Sequence, residues 1–227
     1  MSIILGNLEN VGLGQANMLH SLEQLLENNV EQGSFVMEAT EGNVKILEKR
    51  GYEFFIPSSL LKYVNEDSNA KVYFDLECHS FFQKMKEVIE KGSKTNGVFR
   101  SRRMIKEDNL EVMADDLYVL SLLFGEPKDK HIKRSKRNDT SHIILMIRFD
   151  SGVMAHVEFT VANAERIEME WSGMRQIVEF DSDELKGHLL PLQHETKILL
   201  ASAKRINAEV IDKVRFYKNL IAGGTLI

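Results

Sequence analysis

One cysteine, three prolines and no long apolar run set the first limits on this 227-residue chain. A lone Cys78 leaves no partner for an internal disulfide and suits a reducing compartment, so the cytoplasm is the expected location. Scarce proline, with 43% hydrophobic and 28% charged residues, excludes a Pro-rich or largely disordered architecture. An excess of positive charge is also lacking. The formal net charge is −5, which argues against nucleic-acid binding driven by Lys and Arg neutralising phosphates. The opening Met1-Ser2-Ile3-Ile4-Leu5 has no basic segment ahead of a long apolar stretch, so neither a signal peptide nor a membrane span is expected. The length suits one large domain, or one domain with part of another.

What is present is a succession of short periodic segments. After the apolar run 3–5, residues Met18, Leu19, Leu22, Leu25 and Leu26 recur at helical spacing. Segments 35–37 and 44–47 read as two short strands around a polar turn at 38–43. Pro57, ahead of Ser58, Ser59, Leu60, Leu61 and Val64, predicts a brief helix, and 65–69 a linker. Residues 71–76 read as a strand leading into a helix with Phe81, Phe82, Met85, Val88 and Ile89 on one face, stopped by Gly92. A strand at 98–104 and a helix at 115–124 follow, the helix ended by Gly125 and Pro127.

The clearest pattern lies at 141–181. Ile143, Leu145, Ile147 and Phe149 alternate into the turn Asp150-Ser151-Gly152, and Val153, Ala155, Val157, Phe159 and Val161 alternate out of it. Ile167, Met169 and Trp171 lead through Ser172-Gly173 to Val178 and Phe180 as a second hairpin. The tail 207–221 is helical by the spacing of Val210, Ile211, Val214, Tyr217 and Ile221. The fold class expected is α+β: a large, mostly antiparallel sheet with helices on one face.

Strand 71–76, helix 80–91, strand 98–104, the helix end Leu123-Phe124-Gly125-Glu126-Pro127 and the hairpin around Asp150-Ser151-Gly152 occur in an order with a known parallel. It resembles the C-terminal domain of the glucose-fructose oxidoreductase and inositol dehydrogenase (Gfo/Idh/MocA-like) family. The resemblance implies a short nucleotide-domain remnant at 1–68 and a dehydrogenase-like domain at 69–227. It also implies an open sheet that supports a substrate site and serves in self-association.

Upstream, Ile46-Leu47-Glu48-Lys49-Arg50 is similar to the family's strand ending in Glu-Lys-Pro, whose lysine faces nicotinamide and substrate. Arg50 stands where the family has proline. Asn17-Met18-Leu19-His20 resembles the family's Asn-x-x-His segment, although it lies farther from Lys49 than the family spacing. A full doubly wound nucleotide domain needs roughly 100 residues, and only 48 precede Lys49. Gly12-Leu13-Gly14-Gln15-Ala16-Asn17 lacks the third glycine of the dinucleotide fingerprint and a strand running directly into it. Counting back from Gly125 puts Asp115 and Tyr118 where the family has a catalytic His and an Asp. A carboxylate titrates far below an imidazole unless burial raises it.

The resemblance therefore nominates Lys49, Asp115 and Tyr118 as catalytic candidates. Each has a plainer reading. Lys49 suits a solvated strand end, and Asp115 with Asp116 suits a helix start. Adjacent Cys78 and His79 carry no oxyanion-hole signature. His188 and His194 lie at a spacing that matches no standard zinc site, and no metal is expected. The basic run Lys128, Lys130, His131, Lys133, Arg134, Lys136 and Arg137 reads as a solvated loop or, alternatively, as a site for an anion or an acidic partner.

The expected function is that of a degenerate dehydrogenase relative, acting in ligand binding or self-association without its own nicotinamide catalysis. No cofactor is expected for the chain alone. The alternative is an oxidoreductase subunit acting on a sugar, polyol or imine, with NAD or NADP held by a partner's nucleotide domain. Homo-oligomerisation through the sheet is expected, and neither nucleic acid nor membrane is.

Overall fold

The computed structural model describes residues 1–8, 10–12, 16–19, 33–92, 96–106, 109–137, 140–183, 192–223 and 225–226. The anticipated helix beginning at Met18 lies largely outside these residues. Contacts divide the chain into two compact units: Met1–Ser80 with Gln193–Lys213, and Phe81–Leu192 with Val214–Ile227.

The first unit is built on a parallel sheet. Strands β1 (Ser2–Gly6), β2 (Val11–Gly12), β3 (Asn17–Met18) and β4 (Ser34–Glu38) precede helix α1 (Glu41–Arg50), and β5 (Phe54–Pro57) and β6 (Ala70–Tyr73) follow it. β1 lies between β4 and β5, with β3 outside β4 and β6 outside β5, all parallel. These five parallel strands include β6, so the sheet extends beyond residue 68, where the upstream segment was expected to end. Ile3, Ile4 and Leu5 are fully buried, as befits a central strand covered on both faces. β1 connects toward β4 and β5 toward β6, so the chain reverses direction between β1 and β5. That reversal creates the crevice where open α/β sheets take ligands.

The run 44–47, expected as a strand, is part of α1. Thr40 accepts from the Asn43 N–H at 3.2 Å as N-cap, and Gly51 closes the helix in the left-handed region at φ 69°. Val44 and Leu47 are its buried positions, one helical turn apart. The brief helix after Pro57 is present as a 3₁₀ turn, Ser58–Tyr63.

The second unit holds helix α2 (Ser80–Lys91, its first residue in the other unit), strand β7 (Val98–Ile105) and helix α3 (Leu110–Phe124). Strands β8 (Pro127–Arg137), β9 (Thr140–Phe149), β10 (Met154–Val161), β11 (Arg166–Ser172) and β12 (Ile177–Asp181) complete the run. Segments β13 (His194–Glu195), α4 (Thr196–Ser202) and β14 (Lys204–Arg205) return to the first unit, where β14 pairs with β6. Helix α5 (Ala208–Ala222) and β15 (Thr225–Leu226) end the chain.

The large sheet runs β12-β11-β7-β10-β9-β8-β15. Both hairpins formed as their alternation requires, while β7 enters between them, parallel to β10 and antiparallel to β11. The residues read as one face of the first hairpin, among them Ile143, Leu145, Ile147, Phe149, Val157 and Phe159, are buried. Helices cover that face: Phe124 of α3 meets Phe99, Phe149 and Trp171, and Phe81 of α2 stacks on Phe180 at 3.7 Å. The basic run 128–137 is strand β8, not a loop; Lys130 lies over the Phe216 ring and Arg134 donates to the Ile221 carbonyl. Among the described residues, no helix is long and apolar enough to cross a membrane.

Trp171 is seated directly on Gly97, where an added Cβ would meet the indole Cη2 at 2.0 Å. Gly97→Ala is therefore expected to lower stability by about 1–3 kcal/mol, a fall in Tm of roughly 2–4 °C per kcal/mol, read by scanning calorimetry. An unchanged Tm would show that the indole is not held there.

Candidate functional site

The carboxyl edge of the parallel sheet is where this fold gathers functional side chains, and the chain itself covers it. β1 ends at Gly6, whose missing side chain leaves room for Val11: a Cβ there would meet Val11 Cγ2 at 2.7 Å and the Tyr73 hydroxyl at 3.1 Å. Tyr73, the last residue of β6, donates its buried hydroxyl to the Leu5 carbonyl at 2.7 Å, reaching past β5 to β1. Val11 is held in turn by β2, which pairs in parallel with β13 in the register His194↔Val11. The His194 N–H donates to the Asn10 carbonyl at 2.7 Å, and Thr196 Oγ1 donates to the Gly12 carbonyl at 2.6 Å. Ile4, Val36, Phe55, Tyr73, Val11 and Leu199 of α4 form one apolar cluster over this face.

Beyond β6 the chain makes a 3₁₀ turn, Asp75–Cys78, that aims several polar groups at this edge. Asp75 and His79 are one turn apart, with His79 Nε2 3.7 Å from Asp75 Oδ2. His194, 119 positions along the chain, places Nε2 2.5 Å from Asp75 Oδ1, and its ring centroid lies 5.2 Å from that of His79. His79 and His194 are buried, whereas the Asp75 side chain is 26% exposed. A short cleft of about 670 Å³ runs alongside, lined by Gly12, Ala16, Gln193, His194 and Lys197 among others. Glu77, almost fully buried, is paired with Lys204 of β14. No histidine spacing pointed to this cluster. The only local signal is Asp75 four residues before His79, and a single sequence does not reveal that His194 completes it.

Lys49 lies in the last turn of α1, exposed, with Arg50 beside it. It is not at a strand end. Basic side chains there complement the helix dipole. Since α1 leads into the start of β5, Lys49 is at the amino edge of the sheet, opposite the Gly6 and Tyr73 ends. A polar hollow there is lined by Lys49, Asn65, Ser68 and Asn69.

Asp115 and Tyr118 belong to the second unit, so the structure joins them to each other along α3 but not to Lys49 in one unit. The helix begins five residues earlier than the spacing suggested. Asn109 is its N-cap, accepting from the Glu111 and Val112 N–H groups at 3.0 and 3.3 Å. Asp115 and Asp116 are therefore mid-helix and buried, and the capping explanation does not hold. Arg103 of β7 donates from Nη1 to both Asp116 oxygens at 2.8 and 3.0 Å, a largely buried ion pair. His188 lies outside the described residues.

Cys78 is fully buried, with its thiol donating to the Phe74 carbonyl at 3.3 Å. Burial, then the negative charge of Asp75, pushes the thiol well above its ordinary range, and burial does the same to the Tyr73 phenol. A raised folded-state value favours the protonated group in the native protein. The resulting stability is complete below the unfolded thiol range, about pH 8.5, and is lost as pH rises beyond it. Urea midpoints are expected to fall between about pH 8.5 and 10.5, and Cys78→Ser should flatten the early part of that fall. A midpoint that is constant over this window would contradict the assignment.

No family model matches the chain, and no curated protein matches it. Solved structures do. A dehydrogenase from Chromobacterium violaceum is 12% identical over 80% of this chain and 72% of its own, with a TM-score of 0.54. A probable dehydrogenase from Thermotoga maritima is 14% identical over 79% and 74%, at 0.50. At such identities the likeness is one of architecture, and it agrees with the resemblance carried by the helix end Gly125-Glu126-Pro127 and the hairpin around Ser151. The chain has the α+β fold of these dehydrogenases.

Proposed function

We propose that this protein is a dehydrogenase-fold module that binds no nicotinamide dinucleotide on its own and serves in self-association and ligand binding in the cytoplasm. The supporting observation is the covered edge of the parallel sheet. In dinucleotide-binding sheets the pyrophosphate rests over the end of the first strand, on a glycine-rich turn that leads into a helix. Here Val11 packs on Gly6, the Tyr73 phenol crosses to Leu5, and β13 pairs with β2 over the same place. A cofactor would have to displace an apolar side chain, a buried hydrogen bond and two strand segments. The alternative of a subunit that uses Lys49 at a shared nucleotide site draws less support, since Lys49 occupies the opposite edge.

Self-association is assigned to the open face of the large sheet. There, cross-strand pairs such as Arg100–Glu170 and Arg102–Glu158 alternate acid and base, with Met146 and Ile177 exposed beside them. Such a face is self-complementary under a twofold axis.

Titration of the full chain with NADH and NADPH, followed by fluorescence, is expected to show no stoichiometric binding. Tight binding with hydride transfer to any sugar or polyol would overturn the reading. Light scattering is expected to give a multiple of the 26.0 kDa chain mass, reduced to that mass by Met146→Lys with Ile177→Lys. A monomeric parent would remove the self-association half of the proposal.

A further inference from the structure

We propose that Asp75, His79 and His194 form a binding site for one divalent transition-metal ion of the zinc class, through Nε2 of each histidine and a carboxylate oxygen. One ligand atom from each residue lies within 4.8 Å of the others. Two distances define the arrangement: 2.5 Å from His194 Nε2 to Asp75 Oδ1 and 3.7 Å from His79 Nε2 to Asp75 Oδ2. A tetrahedral ion with bonds of roughly 2.0–2.1 Å spaces its ligand atoms about 3.4 Å apart. The two contacts lie on either side of that spacing, and the short one needs to open by less than about 1 Å to admit the ion.

The mounting is rigid where a metal site needs rigidity. His194 is fixed by its strand pairing with Val11 and its N–H bond to Asn10, and His79 follows the 3₁₀ turn with its N–H on the Leu76 carbonyl. Two imidazoles and one carboxylate select zinc, cobalt or nickel over calcium and magnesium, which prefer all-oxygen shells. Both rings are nearly excluded from solvent while Asp75 is not, so the fourth position faces outward and suits a water or another oxygen ligand. Binding leaves the remaining proton of His194 on Nδ1, which is buried with no hydrogen-bond partner among the described residues. That cost makes the site a moderate binder rather than one of the tightest. Metal uptake here is independent of the dinucleotide question, because it uses the side chains that cover the edge and not the crevice beneath them.

The test uses the full chain, stripped with EDTA, loaded with zinc chloride and freed of excess by gel filtration. One equivalent of zinc is expected, and cobalt is expected to give the visible absorption of a tetrahedral site with no sulfur charge-transfer band. His79→Gln, His194→Gln and Asp75→Asn, compared as folded proteins by circular dichroism, should each weaken binding about 10-fold or more. The partly exposed Asp75 decides the matter if either histidine variant fails to fold. His142→Gln and His156→Gln, which flank Glu158 at 3.5 and 3.4 Å in the other unit, should bind as the parent does. Uptake well below one equivalent, binding retained in all folded variants of the triad, or binding lost with His142 and His156 instead would overturn the site.

Discussion

The first unit depends on what happens to one buried phenol. Tyr73 closes β6 with its hydroxyl inside the protein, where an unpaired O–H costs about 1–3 kcal/mol, and the acceptor within reach is the Leu5 carbonyl on β1. That bond ties together strands separated by β5, and it does so at the point where the sheet reverses direction. Gly6 contributes by having no side chain, so Val11 can pack on the end of β1. Once Val11 is seated, β2 is in place to pair with β13, α4 is drawn over the face, and His194 is brought to Asp75. The covered crevice, the apolar cluster and the Asp75–His79–His194 group are consequences of the same closure.

The large sheet rests on a different balance. Its helix-facing side is largely apolar, with Arg103 of β7 paired to Asp116 of α3 and with Lys130 and Arg134 of β8 held by the Phe216 ring and the Ile221 carbonyl. The pair ties α3 to β7 across the sheet's covered face. The outward side is a field of ion pairs: Arg166 alone meets Glu168, Asp181 and Asp183. Exposed pairs of this kind contribute little each to stability. Their consequence is a sheet face patterned in alternating charge.

What could be read from the sequence followed the clarity of period two. The strands containing Ile143 to Phe149 and Val153 to Val161 were legible because every second residue is apolar and Gly152 marks the turn. Helix α1 was not, because Val44-Lys45-Ile46-Leu47 is too short an apolar run to separate helix from strand. The cap at Thr40 and Gly51 carried the better signal. The basic run 128–137 concealed a strand because its lysines and arginines lie on both faces, supported by Phe216 and by pairing with β9. Asp115 looked like a helix start because the true cap, Asn109, lies ahead of a turn whose apolar residues are Leu110, Val112 and Met113. The metal-site candidate was invisible for a topological reason: His194 reaches Asp75 only because the chain returns to the first unit after strands β7 to β12 of the second.

The end of β1 is sealed by the chain's own residues. Amide hydrogen exchange at Val11 and His194, whose N–H groups bond to the Asn7 and Asn10 carbonyls at 3.1 and 2.7 Å, reports that seal directly. Slow exchange at both, unaltered by saturating NADH, is the predicted result. Rapid exchange at both amides, or protection that changes when NADH is added, would mean that the edge is not sealed and opens to receive a cofactor.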